Sequence, residues 1–346
     1  MAPELTIIVP AYNEAARLGD GMRRFESAVE SGAIDVETTE VIVVDDGSTD
    51  ATEATARKLL APLPHHRVLR QPINRGKGAA VRTGVAVATG ACTAYMDADM
   101  AIDPVAVPLL LDGLASHDVA VGSRALPDSM VESTYAVRAL MGRLFNQLVT
   151  TGTGLALRDT QCGFKGFRTP VARLLFHLAT IDRFAFDVEV LTHARRLGLS
   201  ITEVPVHWCH VAGSTIHPLH DSFGMLADVY RSRLGLVAPT SLTAVFVRET
   251  DGRRPDPRIV PLIEPALAPV TGGAPLPVLV LDSAVVVLLA LVPPAATSAA
   301  LGALRSAVAP LEVSARPMSA RTLRALGPLR TRLRPASPHA GPVADE

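Results

Sequence analysis

The run Ala91-Cys92-Thr93-Ala94-Tyr95-Met96 breaks directly into Asp97-Ala98-Asp99, and this junction constrains the fold more than any other stretch of the chain. A short apolar run without polar alternation reads as a strand buried on both faces, which belongs in a mostly parallel sheet covered by helices. Such sheets open their ligand crevice at the carboxyl ends of their strands. Two carboxylates separated by one residue at that edge suit a hard divalent cation that keeps positions open for phosphate oxygens. An isolated Asp-x-Asp also serves simply as a turn or a helix cap, so the neighbouring strand ends carry the argument.

Those strand ends are polar in the same way. Residues 5–9 form an apolar strand ended by Pro10 and followed by Ala11-Tyr12-Asn13-Glu14, then by a helix with Leu18, Met22, Phe25 and Val29 on one stripe. Residues 41–44 form a second strand, with Asp45-Asp46-Gly47-Ser48-Thr49-Asp50 as its exit into a helix over roughly 51–61. A third strand at 67–69 leads through Asn74-Arg75-Gly76-Lys77-Gly78 to a helix at about 79–89. The βαβαβα order predicts a parallel sheet with helices on both faces.

Beyond the acidic pair come a Leu-rich helix from 104, a strand at 118–122 ending in Ser123-Arg124, and an amphipathic segment at 133–149. That segment suits either a core helix or a membrane interface, which periodicity does not separate. A polar-aromatic loop and strand at 159–167, a helix opening at Ala185, one alternating strand at 201–208 and a second amphipathic segment at 221–234 complete a domain over 1–240. Residues 241–346 read as a Pro-, Ala- and Arg-rich tail, largely disordered, with an apolar segment at 278–292. That segment is shorter than the ~20 residues of a spanning helix and carries Asp282, so it is expected to lie on a surface or pack loosely.

Charge excludes one class of partner. The 33 Lys and Arg nearly cancel the 34 Asp and Glu, leaving no field to draw in nucleic acid. Cys92, Cys162 and Cys209 form no C-x-x-C and are odd in number, which points to a reducing compartment. The first residues lack a secretory pattern, so the domain is expected on the cytoplasmic side.

The candidate site collects at one sheet edge. Pro10, Ala11, Tyr12 and Glu14 offer backbone donors, an aromatic face and a carboxylate. Asp45 could accept from a base imide or a ribose hydroxyl, and Gly47-Ser48 allow close backbone approach to a nucleotide. Arg75 and Lys77 precede a helix start, which is phosphate-binding chemistry, although no P-loop or G-x-G-x-x-G is present. Asp97, Ala98 and Asp99 form the expected diphosphate and Mg²⁺ or Mn²⁺ site. Arg124 and Arg138 are candidates for bringing a second anion alongside the first. His207, Cys209, His210, His217 and His220 match no zinc spacing and read as uncoordinated.

With these residues in view, the chain resembles family 2 glycosyltransferases of the GT-A fold over about residues 4–238. The shared motifs are Ile8-Val9-Pro10-Ala11-Tyr12-Asn13-Glu14, Val44-Asp45-Asp46-Gly47-Ser48-Thr49-Asp50, Asn74-Arg75-Gly76-Lys77-Gly78 and Asp97-Ala98-Asp99. Within the family it is most similar to dolichyl- and polyprenyl-phosphate β-glucosyltransferases. The likeness lies in Asp159-Thr160-Gln161-Cys162-Gly163-Phe164-Lys165, Phe186-Asp187-Val188-Glu189, and Glu203-Val204-Pro205-Val206-His207-Trp208 with Gly213-Ser214. The resemblance implies a mostly parallel nucleotide-binding sheet with a mixed acceptor-side portion. It implies a UDP-sugar donor whose uridine meets Asp45, a polyprenyl phosphate acceptor held by Arg124 and Arg138, and Gln161 and Lys165 lining the sugar and acceptor side. It further implies inverting hexose transfer, glucose first, at the cytoplasmic face of a membrane. An N-acetylhexosamine or GDP-mannose donor, a soluble acceptor and a non-catalytic nucleotide-binding protein remain alternatives. His207 departs from the Arg or Asn that many members carry before the Trp, and the stretch after 240 has no counterpart among the motifs.

Overall fold

β1 (Leu5–Ala11) is buried along its whole length, and its side chains serve two cores at once. Leu5, Ile7, Val9 and Ala11 pack with Leu18, Met22, Phe25 and Ala28 of α1 (Leu18–Glu30). Ile8, pointing the other way, lies against Gly84 of α3 (Lys77–Val87). Helices on both faces follow from that continuous apolar run.

The computed structural model describes residues 3–132, 146–147, 149–150 and 153–209 and, beyond them, 242–248, 262–263, 265–267, 278–280, 285–290, 294–308 and 311–317. The chain divides into two units, Met1–Leu236 and Val237–Glu346.

In the first unit β2 (Thr39–Asp45), β3 (His66–Arg70), β4 (Cys92–Met96), β5 (Val119–Ser123), β7 (Phe164–Arg168) and β8 (Ile201–Pro205) join β1 in a seven-stranded sheet of order β3-β2-β1-β4-β7-β5-β8. All neighbours run parallel except β7, which is antiparallel to both β4 and β5. This is the mostly parallel sheet with a mixed portion that the motifs imply. α2 (Thr52–Leu60) and α4 (Val107–Ser116) share a core with α1. The opposite face carries an aromatic cluster in which Tyr95 meets Phe167, Phe176 of α5 (Thr169–Leu178) and Phe186 of α6 (Phe186–Arg196).

Two expectations are corrected. The single strand over 201–208 is two: β8 pairs with β5, whereas β9 (His207–Trp208) pairs in parallel with β6 (Met130–Val131) in a separate ribbon. Pro205 has no N–H to continue the ladder, and Val206 N–H is diverted to Ser129 Oγ at 3.3 Å. The described residues after 240 are ordered rather than part of a disordered tail. β10 (Leu242–Arg248), β11 (Val278–Val280), β12 (Val285–Ala290) and β13 (Glu312–Pro317) form an antiparallel sheet of order β11-β12-β10-β13, and α7 (Pro294–Ala307) precedes β13. Val245 and Val247 are buried at strand spacing, and Leu304 and Val308 at helical spacing. The prolines from 255 to 277 all fall between β10 and β11, so they mark a connection. The apolar segment at 278–292 supplies two paired strands. No helix among the described residues is long and apolar enough to cross a membrane. The amphipathic segment at 221–234 and most of 133–149 lie outside the described residues.

Two glycines in the first turn of α1 give opposite predictions. A Cβ on Gly21 would overlap the Ala98 carbonyl oxygen inside the acidic turn, whereas one on Gly19 meets only the tip of Arg23 at 4.0 Å. In urea unfolding, Gly21→Ala is expected to lose about 1–3 kcal/mol by overpacking. Gly19→Ala is expected to gain roughly 0.5–1 kcal/mol by stiffening the unfolded chain.

Candidate active site

The carboxyl ends of β1, β2 and β3 set three turns side by side, tied by side-chain bonds to backbone. Asp45, fully buried at the end of β2, accepts from Ser48 N–H at 2.9 Å through Oδ1. Its Oδ2 has no hydrogen-bond partner, and Arg70 stands 3.6 Å from it. That leaves a buried acceptor at the place where a base or ribose donor was expected. Asn13 adopts φ 53°, a left-handed conformation that Asn tolerates, and from there its N–H reaches Ser48 Oγ at 2.9 Å and its Oδ1 accepts from Thr49 N–H at 2.9 Å. Ala11 carbonyl accepts from Asp46 N–H at 2.8 Å, which locks the Pro10-Ala11 strand end to the second turn. Tyr12 stays exposed beside it.

Asp46 fixes the third turn. Its two oxygens accept from Arg75 N–H at 2.9 Å and Gly76 N–H at 2.7 Å. Gly47, at φ 71°, allows the contact, since a Cβ there would come within 2.6 Å of the Ile73 carbonyl carbon. The Arg75 side chain extends to Asp182 at 3.2 Å and is half exposed. Gly76 ends the turn where α3 begins, so Lys77 enters the site from the first residue of the helix.

The acidic pair lies opposite. Lys77 Nζ sits 2.5 Å from Asp97 Oδ1, and Asp97 packs onto Gly163, where a Cβ would overlap its carboxylate. Asp99 Oδ1 accepts from Ala101 N–H at 3.1 Å, with Met100 between them at φ 44°. Glu14 pairs with Arg17 at 2.6 Å through Oε1, and its buried Oε2 is orphaned. Burial pushes the carboxyl of Asp99 up, and the neighbouring Asp97 charge adds to it. Glu14 is likewise raised, first by burial, with Arg17 opposing and Asp99 and Asp97 reinforcing. Burial pulls Lys77 down, but Asp97, Asp187 and Asp99 together leave its ammonium above the usual lysine range. The pocket therefore concentrates oxygen donors and negative charge, with Lys77 and Arg17 to balance them. An all-oxygen donor set with an orphaned carboxylate oxygen nearby fits Mg²⁺ or Mn²⁺, with Asp97 and Asp99 as the residues that would hold it.

The acceptor-side residues are placed differently from one another. Arg124 forms a bidentate pair with Asp159, at 2.7 Å from Nε and 3.0 Å from Nη2, leaving the Nη1 edge outside that pair. Burial alone would raise Asp159, but Arg124 holds its carboxyl below the usual range. Gln161 is partly buried, with its N–H on Asp159 Oδ1 at 3.1 Å. Arg138 lies outside the described residues. Lys165 does not line an open site: its side chain is 0 % exposed, and Nζ donates to Asp187 at 2.6 Å and to the Cys162 carbonyl at 2.6 Å. Its two bonds tie the turn at 161–163 to Asp187 of α6. Tyr95 hydroxyl donates to the same Asp187.

Sequence reasoning missed Asp159 as the clamp on Arg124, and it missed a group formed by Glu132, His207 and Cys209. His207 Nε2 lies 3.2 Å from Glu132 Oε1 and 3.6 Å from Cys209 Sγ. The histidine stood out in the sequence, but its acidic neighbour is 75 residues away and only the β6–β9 pairing brings it in.

The fold and this edge define an α/β enzyme built to receive a nucleotide beside an acidic pair. Residues 6–176 match the glycosyl transferase family 2 model. The chain is 36% identical over 242 residues to the dolichyl-phosphate beta-glucosyltransferase of Dictyostelium discoideum, covering 66% of this chain and 73% of that one. It is 37% identical over 242 residues to the Drosophila melanogaster enzyme of the same name, with the same coverage of 66% and 73%. Among solved structures, glucosyl-3-phosphoglycerate synthase from Mycobacterium tuberculosis, in complex with Mn²⁺, UDP-glucose and phosphoglyceric acid, is similar with a TM-score of 0.51 at 20% identity, over 68% of this chain and 80% of that one. The chain belongs to glycosyltransferase family 2, has the GT-A fold and is a sugar-transferring enzyme.

Two stability outcomes follow. Lys165→Met strands Asp187 in the core and is expected to lose roughly 3–5 kcal/mol in chemical unfolding. Asp99 behaves oppositely. Its folded pKa is raised, so the fold favours the protonated form, and the ionised form weakens it as pH climbs through that value. In metal-free buffer Asp99→Asn is expected to raise Tm at pH 7, with the advantage disappearing below about pH 4, where the carboxyl is neutral in folded and unfolded chains alike. Melting curves across that range check it.

Proposed function

We propose that this enzyme transfers a hexose, glucose in the first place, from a UDP-sugar to a polyprenyl phosphate with inversion, giving a β-linked lipid phosphate sugar at the cytoplasmic face of a membrane. The observation that carries the reading is the half-buried carboxylate pair Asp97 and Asp99, set opposite the nucleotide turns of Asp45, Asp46 and Gly76-Lys77, in a chain 36% identical to a dolichyl-phosphate beta-glucosyltransferase. Asp97 and Asp99 would hold Mg²⁺ or Mn²⁺. When bound, the ion supplies neutralisation of the diphosphate that departs.

The remaining work falls to the chain's own groups. Asp45, itself 0 % exposed, holds the uridine turn in shape through Ser48 N–H, and the glycines at 47 and 76 let backbone approach the nucleotide. Lys77, held against Asp97 in the free enzyme, is placed to share its charge with the donor diphosphate. Arg124 and Arg138 hold the acceptor phosphate, and Asp159 fixes the angle of Arg124. An acceptor phosphate oxygen forms the new bond to the anomeric carbon as the bond to UDP breaks on the opposite face. A phosphate monoester with a second pKa of about 6 is already mostly ionised near neutrality, so no general base is required. Peripheral attachment to the membrane brings the enzyme to its acceptor.

The test is mass spectrometry of products formed from a short prenyl phosphate, or from phosphoglycerate, with UDP-glucose, UDP-N-acetylgalactosamine or GDP-mannose, in Mg²⁺ or Mn²⁺. A hexosyl phosphate lipid from UDP-glucose is expected. Asp97→Asn is expected to reduce turnover about 10²–10³-fold, the scale of losing one electrostatic contact to a developing charge. Transfer only to phosphoglycerate would move the reading to a soluble acceptor, and no product from any donor would end it.

A further inference from the structure

Outside the acidic pair, the described residues hold one other convergence of metal-type side chains, and its chemistry is different. Glu132, His207 and Cys209 offer a carboxylate oxygen, an imidazole nitrogen and a sulfur, all within 4.8 Å of one another. We propose that these three side chains form a Zn²⁺ site, separate from the Mg²⁺ or Mn²⁺ position at Asp97 and Asp99, which ties the β6–β9 ribbon together.

The backbone prepares the arrangement. Met130 lies opposite His207 and Val131 opposite Trp208 in the parallel ribbon, and Glu132 N–H continues it to the Trp208 carbonyl at 2.9 Å. His207 and Cys209, two residues apart on extended chain, project to the same side. Cys209 N–H is fixed to the Ala101 carbonyl at 2.8 Å, and the His207 carbonyl accepts from Asp103 N–H at 3.0 Å. Two of the three ligands therefore sit on backbone that is already immobilised.

The spacing agrees with zinc. Bond lengths of ~2.3 Å to sulfur and ~2.0–2.1 Å to nitrogen or oxygen, set at tetrahedral angles, place sulfur about 3.6 Å from nitrogen and nitrogen about 3.3 Å from oxygen. The observed separations are 3.6 Å and 3.2 Å. Both involve the same atom, His207 Nε2. The Cys209 sulfur also receives a hydrogen bond from Arg24, which a bound cation would displace. A cation at the common point satisfies all three. The exposed Glu132 side chain supplies the remaining closure, and water takes the fourth vertex. A thiolate and an imidazole select Zn²⁺ over Mg²⁺ and Mn²⁺, which prefer oxygen. Binding releases the thiol proton to solvent as the metal–sulfur bond forms.

Cobalt reports the site without reference to sugar transfer. Full-length protein stripped with a chelator and titrated with Co²⁺ in excess Mg²⁺ is expected to develop a thiolate-to-cobalt charge-transfer absorption at one equivalent, which Zn²⁺ then abolishes. Cys209→Ser should remove the band, and Asp97→Asn should leave it. Glu132→Gln, at an exposed position that leaves folding intact, should weaken Co²⁺ binding at least about tenfold. Absence of the band in the unaltered protein, its survival in Cys209→Ser, or unchanged affinity in Glu132→Gln would each overturn the proposal.

Discussion

The whole edge of this sheet is governed by repulsion among carboxylates kept close together out of bulk water. Burial first, and then the Asp97 charge, raises the cost of ionising Asp99, and Asp99 and Asp97 add to the burial that raises Glu14. Left to itself such a group would spread apart or take up protons. The group is nonetheless held close, because Gly21 of α1 admits the Ala98 carbonyl from below, Gly163 admits the Asp97 carboxylate from the side, and Lys77 and Arg17 bring positive charge to it. The stability forgone here is what gives the site its appetite for cationic charge, the usual relation between a strained polar cluster and function.

The nucleotide turns are held by an economical set of bonds. Asp45 organises its own turn, Asp46 reaches across to the next, and the Ala11 carbonyl binds the first to the second. Each carboxylate acts on backbone N–H groups, so the turns keep their shape whichever side chains meet the ligand. The same logic runs on the acceptor side, where Asp159 grips Arg124 in two places and Glu203 in turn receives the N–H groups of Arg158 and Asp159 at 3.1 Å and 3.0 Å.

Local signals carried much of this in advance. Apolar runs gave the sheet its core strands, and polar residues directly after them gave the edge where Asp45, Lys77 and Asp97 meet, because parallel strands bring their exits together. Lys165 misled because a lysine in a polar-aromatic motif reads as solvent-facing. Its burial depends on Asp187, which belongs to a helix 22 residues on and has no local signature. Asp159 was quoted as part of a motif, but its grip on Arg124 spans 35 residues. The sheet after 240 was obscured for a different reason: its prolines are gathered in one connection, and composition averaged over the stretch hides that.

The reversed direction of β7 matters beyond the tally of strand pairs. Phe164, its first residue, lies beside Met96, the last of β4. The chain thus enters β7 at the rim where β4 leaves, so residues 159–163 hang directly over the acidic pair. A strand of the ordinary sense would have delivered them to the far end of the sheet. Any insertion at that entrance would grow as an awning above those carboxylates, clear of the turns that Asp45 and Asp46 hold on the neighbouring strand ends.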